Sequence, residues 1–378
     1  MRILHLIHSE GIYGAESILL YLAREQQRRG HVPLIGSIRD PGTAQTPFEA
    51  RAASQGLTVL PIRIAPRPTP SVVRALLRTV HTVEPNVLHS HGYKPNILLG
   101  PVPRRRRGAM LATLHGWTNT RTFSRLWLYE CLDRWALRRI DTVVVVARQM
   151  LALRALRGIA ASRQRVIENG IPPLGVRIND LTMRGAPPLP TTLVDFTTRS
   201  PTLIAIGRLS PEKGFTLLLD AFARARTQIK AQYQLLIVGE GSDRNVLCDR
   251  IAALGLTNVA RLGGYVDGAD RLLERAAGFV MSSVTEGMPL VLLEAMQWRA
   301  PILATSVGAI PELLDYGARG RLVPPNNLAA LTHAMQTMME EGLHSNDASV
   351  AAAATAVSER YTSARMADDY FSVYGAIA

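Results

Sequence analysis

Short apolar runs alternate with amphipathic stretches along most of the chain. Arg2–Ile7 reads as a buried strand, and Ser17–Arg29 as a helix with Ile18, Leu19, Leu22 and Ala23 on one face. The pattern predicts further strands at Val32–Ser37, Val59–Ile62, Val87–Ser90, Met110–His115 and Thr142–Ala147, and helices at Thr69–Thr82 and Phe123–Arg139. A proline-rich stretch from Pro172 to Pro201 then keeps no helical or strand period and reads as a linker. A second alternation follows, with strands at Thr202–Ile206, Gln234–Val238, Val259–Leu262, Gly278–Ser282 and Pro301–Ala304, and a last helix at Thr362–Tyr374. Strand-then-helix alternation implies parallel sheets covered on both faces, so the fold class is α/β with two doubly wound, Rossmann-like domains. The expected division is 1–180, a linker at 181–200, a second domain over 201–357, and a terminal segment 358–378.

In open α/β sheets, ligands sit beyond the carboxyl ends of the strands. The residues that follow each strand therefore come first. Gly207-Arg208-Leu209-Ser210-Pro211-Glu212-Lys213-Gly214 lies between the strand Thr202–Ile206 and the helical stretch Phe215–Arg226. Ser210 suits an N-cap and Pro211 a first helical residue. Two cations at the positive end of a helix are unfavourable unless an anion joins them, and Arg208 and Lys213 offer a planar fork and a point charge to phosphate oxygens. The alternative is a capped helix with solvated charges.

Glu286-Gly287-Met288-Pro289-Leu290-Val291-Leu292-Leu293-Glu294 follows Ser282 and Ser283. Pro289 is expected to start a helix that Met288 cannot cap, leaving the backbone donors of Leu290 and Val291 for a ligand. Glu294, inside an apolar helix, needs a partner, either ligand hydroxyls or a nearby arginine. Gly239-Glu240-Gly241 and Gly11-Ile12-Tyr13-Gly14-Ala15-Glu16 are further glycine turns after strands. The second lacks the G-x-G-x-x-G spacing, which argues against nicotinamide binding. His89, His91 and His115 cluster at strand ends, a polar functional position. As a zinc site they lack a carboxylate or cysteine spaced to complete the set.

Composition and charge narrow the partners. The 378 residues hold two cysteines, Cys131 and Cys248, which excludes a disulfide scaffold and a four-cysteine zinc site. The net charge is +13, and residues 1–180 carry 26 Lys and Arg against 11 Asp and Glu. That asymmetry points to an anionic partner for the first half. Arg104–Arg107 reads as a solvated loop or as a contact with anionic lipid. No aromatic residues interleave with it, which disfavours nucleic acid. No apolar run is long enough to span a membrane and no signal peptide is read at Met1–Ile7. The expected location is cytoplasmic, with peripheral association at the inner face of the membrane.

Together these stretches resemble a known family. Gly14-Ala15-Glu16, His89-Ser90-His91-Gly92-Tyr93-Lys94, Gly207–Gly214, Gly239–Gly241 and the E-x7-E pair Glu286 and Glu294, followed by Val307-Gly308-Ala309-Ile310-Pro311-Glu312, occur in the order found in glycosyltransferase family 4. That resemblance implies the GT-B fold, with a cleft between a first domain that binds the acceptor and a second that binds the nucleotide sugar, and a C-terminal helix in 358–378 that crosses back to the first domain. It implies retaining, metal-independent transfer of a hexose from a nucleotide sugar (UDP- or GDP-linked) to a lipid-linked, polysaccharide or glycolipid acceptor. The nucleotide sugar is then a substrate and no cofactor or metal is expected. Enzyme alternatives on the same outline are a phosphorylase or a nucleotide-sugar epimerase; the non-enzyme alternative is a polyanion-binding protein. By the same resemblance, His115, Arg208, Lys213 and Glu286 are catalytic. Arg208 and Lys213 hold the diphosphate, Glu294 the ribose, and Glu286 with the backbone of Gly287, Met288, Pro289 and Leu290 the donor sugar. Gly14, Gly207 and Gly239 line the donor site, Gly264 and Tyr265 meet the base, and Gly14, whose loop lies under the phosphate and acceptor, is joined by His91 and His115 near acceptor or sugar. His115 stands in Leu114-His115-Gly116-Trp117. Two departures stand out: Arg299 and Ala309 occupy positions where the family carries glycine.

Overall fold

The computed structural model describes residues 1–8, 11–65, 69–116, 125–179, 187–342 and 347–378, with backbone alone at 125, 126, 177–179 and 347. The chain forms two compact units. One is Met1–Pro172 with Tyr361–Ala378, and the other is Pro173–Arg360.

The first unit holds a seven-stranded parallel sheet. In chain order its strands are β1 (Arg2–His8), β2 (Val32–Arg39), β3 (Thr58–Arg63), β4 (Val87–His91), β5 (Ala109–Leu114), β6 (Thr142–Val145) and β7 (Gln164–Val166). Their spatial order is β3-β2-β1-β4-β5-β6-β7. The sheet is therefore doubly wound, and its order reverses between β1 and β4. Five consecutive pairs hold that junction in register, including His5 with His89 and Ile7 with His91. The interiors of β1, β4, β5 and β6 are fully buried, as expected of parallel strands with helices on both faces, and in β1 and β4 that buries histidines.

The second unit repeats the plan with six strands: β8 (Thr202–Ile206), β9 (Gln234–Val238), β10 (Ala260–Leu262), β11 (Gly278–Met281), β12 (Ile302–Thr305) and β13 (Arg321–Val323). The order β10-β9-β8-β11-β12-β13 reverses between β8 and β11. Its core is built on Leu203, Ala205, Leu235, Ile237, Val280 and Leu303 from the strands, packed against Leu218, Leu219 and Phe222 of the helix Phe215–Arg226. Part of the proline-rich stretch is ordered as helix, over Leu174–Asn179 and Thr191–Arg199. In the latter, Leu193 and Phe196 are buried, which gives those residues a reason to coil.

The last helix, Ser363–Ile377, belongs to the first unit. Ile171 N–H donates to Tyr361 O and Ser363 N–H to Ile171 O, each at 2.9 Å. Thr362 caps the helix by accepting from Arg365 N–H.

The arginine run departs from the expected solvated loop. Arg104–Arg107 is a helical turn, and Arg107 is 2% exposed. Its guanidinium pairs with Asp141 (2.9 Å) and donates to the carbonyls of Val102, Gly108 and Arg139. Arg104 reaches Asp141 and the carbonyl of Ile377. A planar five-donor fork satisfies several loop carbonyls at once, so half of the run is structural.

Asp133, on the helix Arg125–Leu137, is buried and accepts from Asn96 Nδ2 at 3.0 Å. Burial pushes its carboxyl up to about 7, against a smaller opposing effect of that hydrogen bond. An unfolded aspartate titrates near 4. Between those values the folded protein binds the extra proton, so this group's contribution to stability falls as pH rises from about 4 to about 7. Asp133→Asn is expected to remove that slope. Relative to wild type it gains roughly 2 kcal/mol between pH 5 and pH 7 in urea titrations, with all other groups titrating equally in both. Parallel curves for the two proteins would exclude a neutral Asp133.

Candidate functional site

In the second unit, the two motif stretches flank the strand-order reversal. Gly207–Gly214 follows β8, and Ser282–Leu290 follows β11. Three hydrogen bonds stitch them together. Ser282 Oγ donates to Lys213 O (2.9 Å), Val284 N–H to Glu212 O (2.8 Å), and Lys213 Nζ to Glu286 Oε1 (2.6 Å). The approach is so close that a Cβ on Gly214 (φ +65°) would lie 2.3 Å from Ser282 O. Glu286 Oε1 also accepts from Ser283 Oγ at 2.6 Å. The side chains of Lys213 and Glu286 are 21% and 10% exposed, so the pair is shielded yet reachable.

The caps differ in detail from the expectation. Ser210 begins only a 3-10 turn, Pro211–Lys213, and makes no side-chain cap bond; its hydroxyl donates to Glu212 Oε1 instead. Gly214, in the left-handed conformation, is the N-cap of Phe215–Arg226. The helix after Glu286 starts at Leu290, with Pro289 as N-cap rather than first residue. Proline has no side-chain acceptor, so the N–H groups at the start of Leu290–Gln297 have no side-chain cap, as expected of an anion-accepting helix end. Met288 and Leu290 are buried, so what they offer a ligand is backbone. Glu294 lies one helical turn further on and is partly exposed. Arg208 is exposed.

Glycines hold the neighbouring turns. Gly239 N–H donates to Gly264 O, and a Cβ on Gly239 (φ +146°) would lie 1.8 Å from Gly207 O. Tyr265 follows and is 48% exposed. Gly308 (φ +53°) packs against Glu286 O, and Ala309 N–H donates to Gly287 O. Both departures from the family pattern are accommodated by backbone. Ala309 has φ −77°, a conformation with no need of glycine. Arg299 takes φ +57° itself and is exposed, keeping the glycine's backbone at the usual left-handed cost.

In the first unit, β1 and β4 end on histidines, His8 and His91. Gly14 is the first residue of the helix Gly14–Arg28, whose N-cap Tyr13 donates its N–H to Glu16 Oε2 (3.0 Å). Glu16 is thus a structural cap. His91, which ends β4, and His115, just past β5, join a chain of rings that also takes in His5 and His89. His5 Nε2 meets Gln26 Oε1 (2.8 Å), His5 Nδ1 meets His91 Nε2 (3.0 Å), and His91 Nδ1 meets His115 Nε2 (3.0 Å). His89 bonds Tyr374 through Nδ1 (2.6 Å) and Thr113 through Nε2 (2.8 Å). Thr113 continues to Tyr370 (3.0 Å) and Gln26 to Tyr374 (3.3 Å).

Burial pushes all four imidazoles down, His5 and His115 to about 4 and His89 and His91 well below the ordinary value, with neighbouring rings adding for the last two. The rings are neutral at pH 7, so each carries one donor and one acceptor. Gln26 Oε1 can only accept, which assigns the proton of His5 to Nε2. The order then follows along the chain: His91 donates from Nε2 to His5 Nδ1, and His115 donates from Nε2 to His91 Nδ1. The chain ends on His115 Nδ1, an acceptor that is shielded from solvent and has no hydrogen-bond partner among the described residues.

This cluster corrects the expectation that nothing here would hold a metal. One ring nitrogen from each of His5, His89 and His91 lies within 4.8 Å of the others, a geometry able to receive an ion. The third histidine is His5, not His115. Its sequence distance from His89 hides the pairing, which exists only because β1 and β4 are neighbours at the reversal. Trp117 lies outside the described residues. Among those described, no helix is long and apolar enough to cross a membrane.

Comparison with known proteins follows the same division. Residues 12–173 match Glycosyltransferase Family 4, and residues 194–355 match Glycosyl transferases group 1. The chain is 29% identical to N-acetyl-alpha-D-glucosaminyl L-malate synthase of Bacillus anthracis over 46% of this chain and 44% of that one. It is 31% identical to phosphatidyl-myo-inositol mannosyltransferase of Mycobacterium leprae, over 54% of this chain and 53% of the relative. It thus spans about half the length of these curated relatives. Among solved structures, Anabaena HepE in complex with UDP and glucose superposes with a TM-score of 0.82 at 20% identity, covering 100% of both chains. A Rickettsia africae glycosyltransferase gives 0.78 at 18%, covering 100% of this chain and 98% of the other. The fold is that of the GT-B glycosyltransferases, and each of the two matched stretches falls in one unit, to within a residue.

Proposed function

We propose that the chain is a retaining glycosyltransferase that moves a sugar from a UDP- or GDP-linked donor to a hydroxyl of a glycan or lipid-linked acceptor. The Lys213–Glu286 contact at 2.6 Å carries this reading, because it joins the cationic turn and the E-x7-E stretch at the strand-order reversal of one sheet. In this reading Lys213 and Arg208 meet the donor diphosphate, and Glu286 with the backbone of Gly287 to Leu290 meets the sugar. Glu294 meets the ribose, Gly207 and Gly239 the floor of the nucleotide site, and Gly264 and Tyr265 the base. In the first unit, Gly14, His91 and His115 face acceptor or sugar.

The bond from the anomeric carbon to the diphosphate oxygen breaks as the acceptor oxygen bonds the same face. The acceptor's proton passes to the leaving diphosphate. Negative charge grows on that leaving group, so cations already in place there lower the barrier. The names of the relatives support a nucleotide-sugar donor: HepE is seen with UDP and glucose, and the M. leprae relative is a mannosyltransferase. The basic surface of residues 1–180 is the part that would meet an anionic membrane or a lipid-phosphate acceptor, less the arginines tied to Asp141.

A melting-temperature panel of UDP, GDP and their sugars tests the donor assignment. One nucleotide series is expected to raise the midpoint, as any ligand of the folded state does. Release of nucleoside diphosphate only when acceptor is present would separate transfer from phosphorolysis or epimerisation. No shift with any nucleotide would overturn the proposal.

A further inference from the structure

We propose that His5, His89 and His91 form a binding site for a divalent transition-metal ion of the zinc class, and that its occupancy reverses the hydrogen-bonding polarity of His115. The three rings are buried in the sheet, on adjacent strands, with one nitrogen of each within 4.8 Å of the others. Imidazole nitrogens around tetrahedral zinc stand about 2.0–2.1 Å from the ion and so roughly 3.3 Å from one another. His5 Nδ1 and His91 Nε2, at 3.0 Å, need to part by only a few tenths of an ångström.

The outer nitrogens are already oriented in the manner of metal ligands. His5 presents Nε2 to Gln26 Oε1, and His91 presents Nδ1 to His115. Such second partners fix ring orientation and raise ligand basicity. His89, held by Tyr374 at one nitrogen and Thr113 at the other, gives up one of these bonds to become the third ligand.

The consequence for His115 follows from proton count. Without metal, His91 carries its proton on Nε2 and accepts from His115 at Nδ1, leaving His115 Nδ1 as an acceptor with no hydrogen-bond partner among the described residues. Metal on His5 Nδ1 and His91 Nε2 replaces the bond between those atoms. The proton of His91 then resides on Nδ1 and donates to His115 Nε2, and the proton of His115 moves to Nδ1. No proton is gained or lost, yet the His115 end of the chain changes from acceptor to donor. A ligand hydroxyl beside His115 would be held through its proton in one state and its lone pair in the other.

Cobalt(II) titration of the whole protein, stripped beforehand with chelator, tests the site without any transfer assay. One saturable equivalent with the visible absorption of low-coordinate, nitrogen-ligated cobalt, displaced by zinc, is expected. Gln26→Leu is expected to weaken it about 10-fold or more through the lost second partner, and His91→Gln to abolish it. Histidine ¹⁵N spectra of the wild-type protein give a readout independent of variant folding. On zinc loading, Nδ1 of His115 is expected to change from the unprotonated to the protonated type. Absence of a saturable equivalent in the wild type, or full binding retained in His91→Gln, overturns the site. Loading that leaves Nδ1 of His115 unprotonated overturns the coupling.

Discussion

Lys213→Ala is expected to lower kcat/KM for sugar transfer about 100-fold while the melting temperature changes little. Removing one charged or hydrogen-bonding group that faces charge developing in a transition state costs about 10²–10³ in rate, or roughly 3–4 kcal/mol. Lys213 is suited to that place because its main chain is pinned to the end of β11 through Ser282 and its ammonium through Glu286. Loss of the ammonium leaves Glu286 with its bond from Ser283 and with partial exposure, so the carboxylate is not stranded and the fold persists. Glu294→Ala, by contrast, is expected to act mainly through donor binding, raising KM more than tenfold. Steady-state rates for purified variants, with a melting curve for each, check both. Near-normal turnover in Lys213→Ala would remove that residue from the site.

Gly308→Ala is expected to cost both stability and transfer. At φ +53° an alanine pays about 1 kcal/mol or more for the left-handed conformation. Its Cβ would also sit 2.2 Å from Glu286 O and 2.8 Å from Gly287 O, so the Glu286–Gly287 backbone must retreat by about an ångström. Overpacking of that kind typically costs 1–3 kcal/mol, giving roughly 3 kcal/mol together in a denaturant titration. A misplacement of 1 Å beside reacting groups costs about 100-fold. The signature is thus a falling denaturation midpoint with a parallel fall in kcat. Gly56→Ala, also at positive φ (+72°) but with no atom of the described residues beyond its chain neighbours within 4 Å of its Cβ, serves as the control and loses only the conformational cost. Equal behaviour of the two variants would show that contact with Glu286 is immaterial.

Several elements could be read residue by residue. β8 and β9 fall on Thr202–Ile206 and Gln234–Val238 as the pattern predicts, because each is a five-residue run buried throughout or nearly so and closed by a glycine turn. β7 and β13 were not legible. Gln164–Val166 and Arg321–Val323 are three-residue edge strands that begin on polar residues, and only pairing with β6 and β12 makes them strands. The Lys213 and Glu286 stretches were legible as separate motifs, but not their contact, which needs the order of β8 and β11. His5 was invisible for the same reason. A histidine inside an otherwise apolar strand gives no periodic signal, and its partners arrive from β4 and the helix Gly14–Arg28. Ser210 misled because a serine before proline looks like a helix cap, whereas its hydroxyl is taken by Glu212.

The membership of the last helix in the first unit has a consequence for biogenesis. Residues 173–360 are a contiguous segment and can collapse as soon as they emerge from the ribosome. The first unit is interrupted by that segment. Its buried His89 waits for Tyr374, and the backbone of Ile171 for Tyr361 and Ser363, through the synthesis of nearly two hundred intervening residues. At about 5–20 residues per second that delay is of the order of ten seconds or more, far longer than local folding events. The vectorial order of maturation is therefore reversed: the half made second can finish first, and the half made first stays open along its Gly14–Arg28 face until the final turns are released.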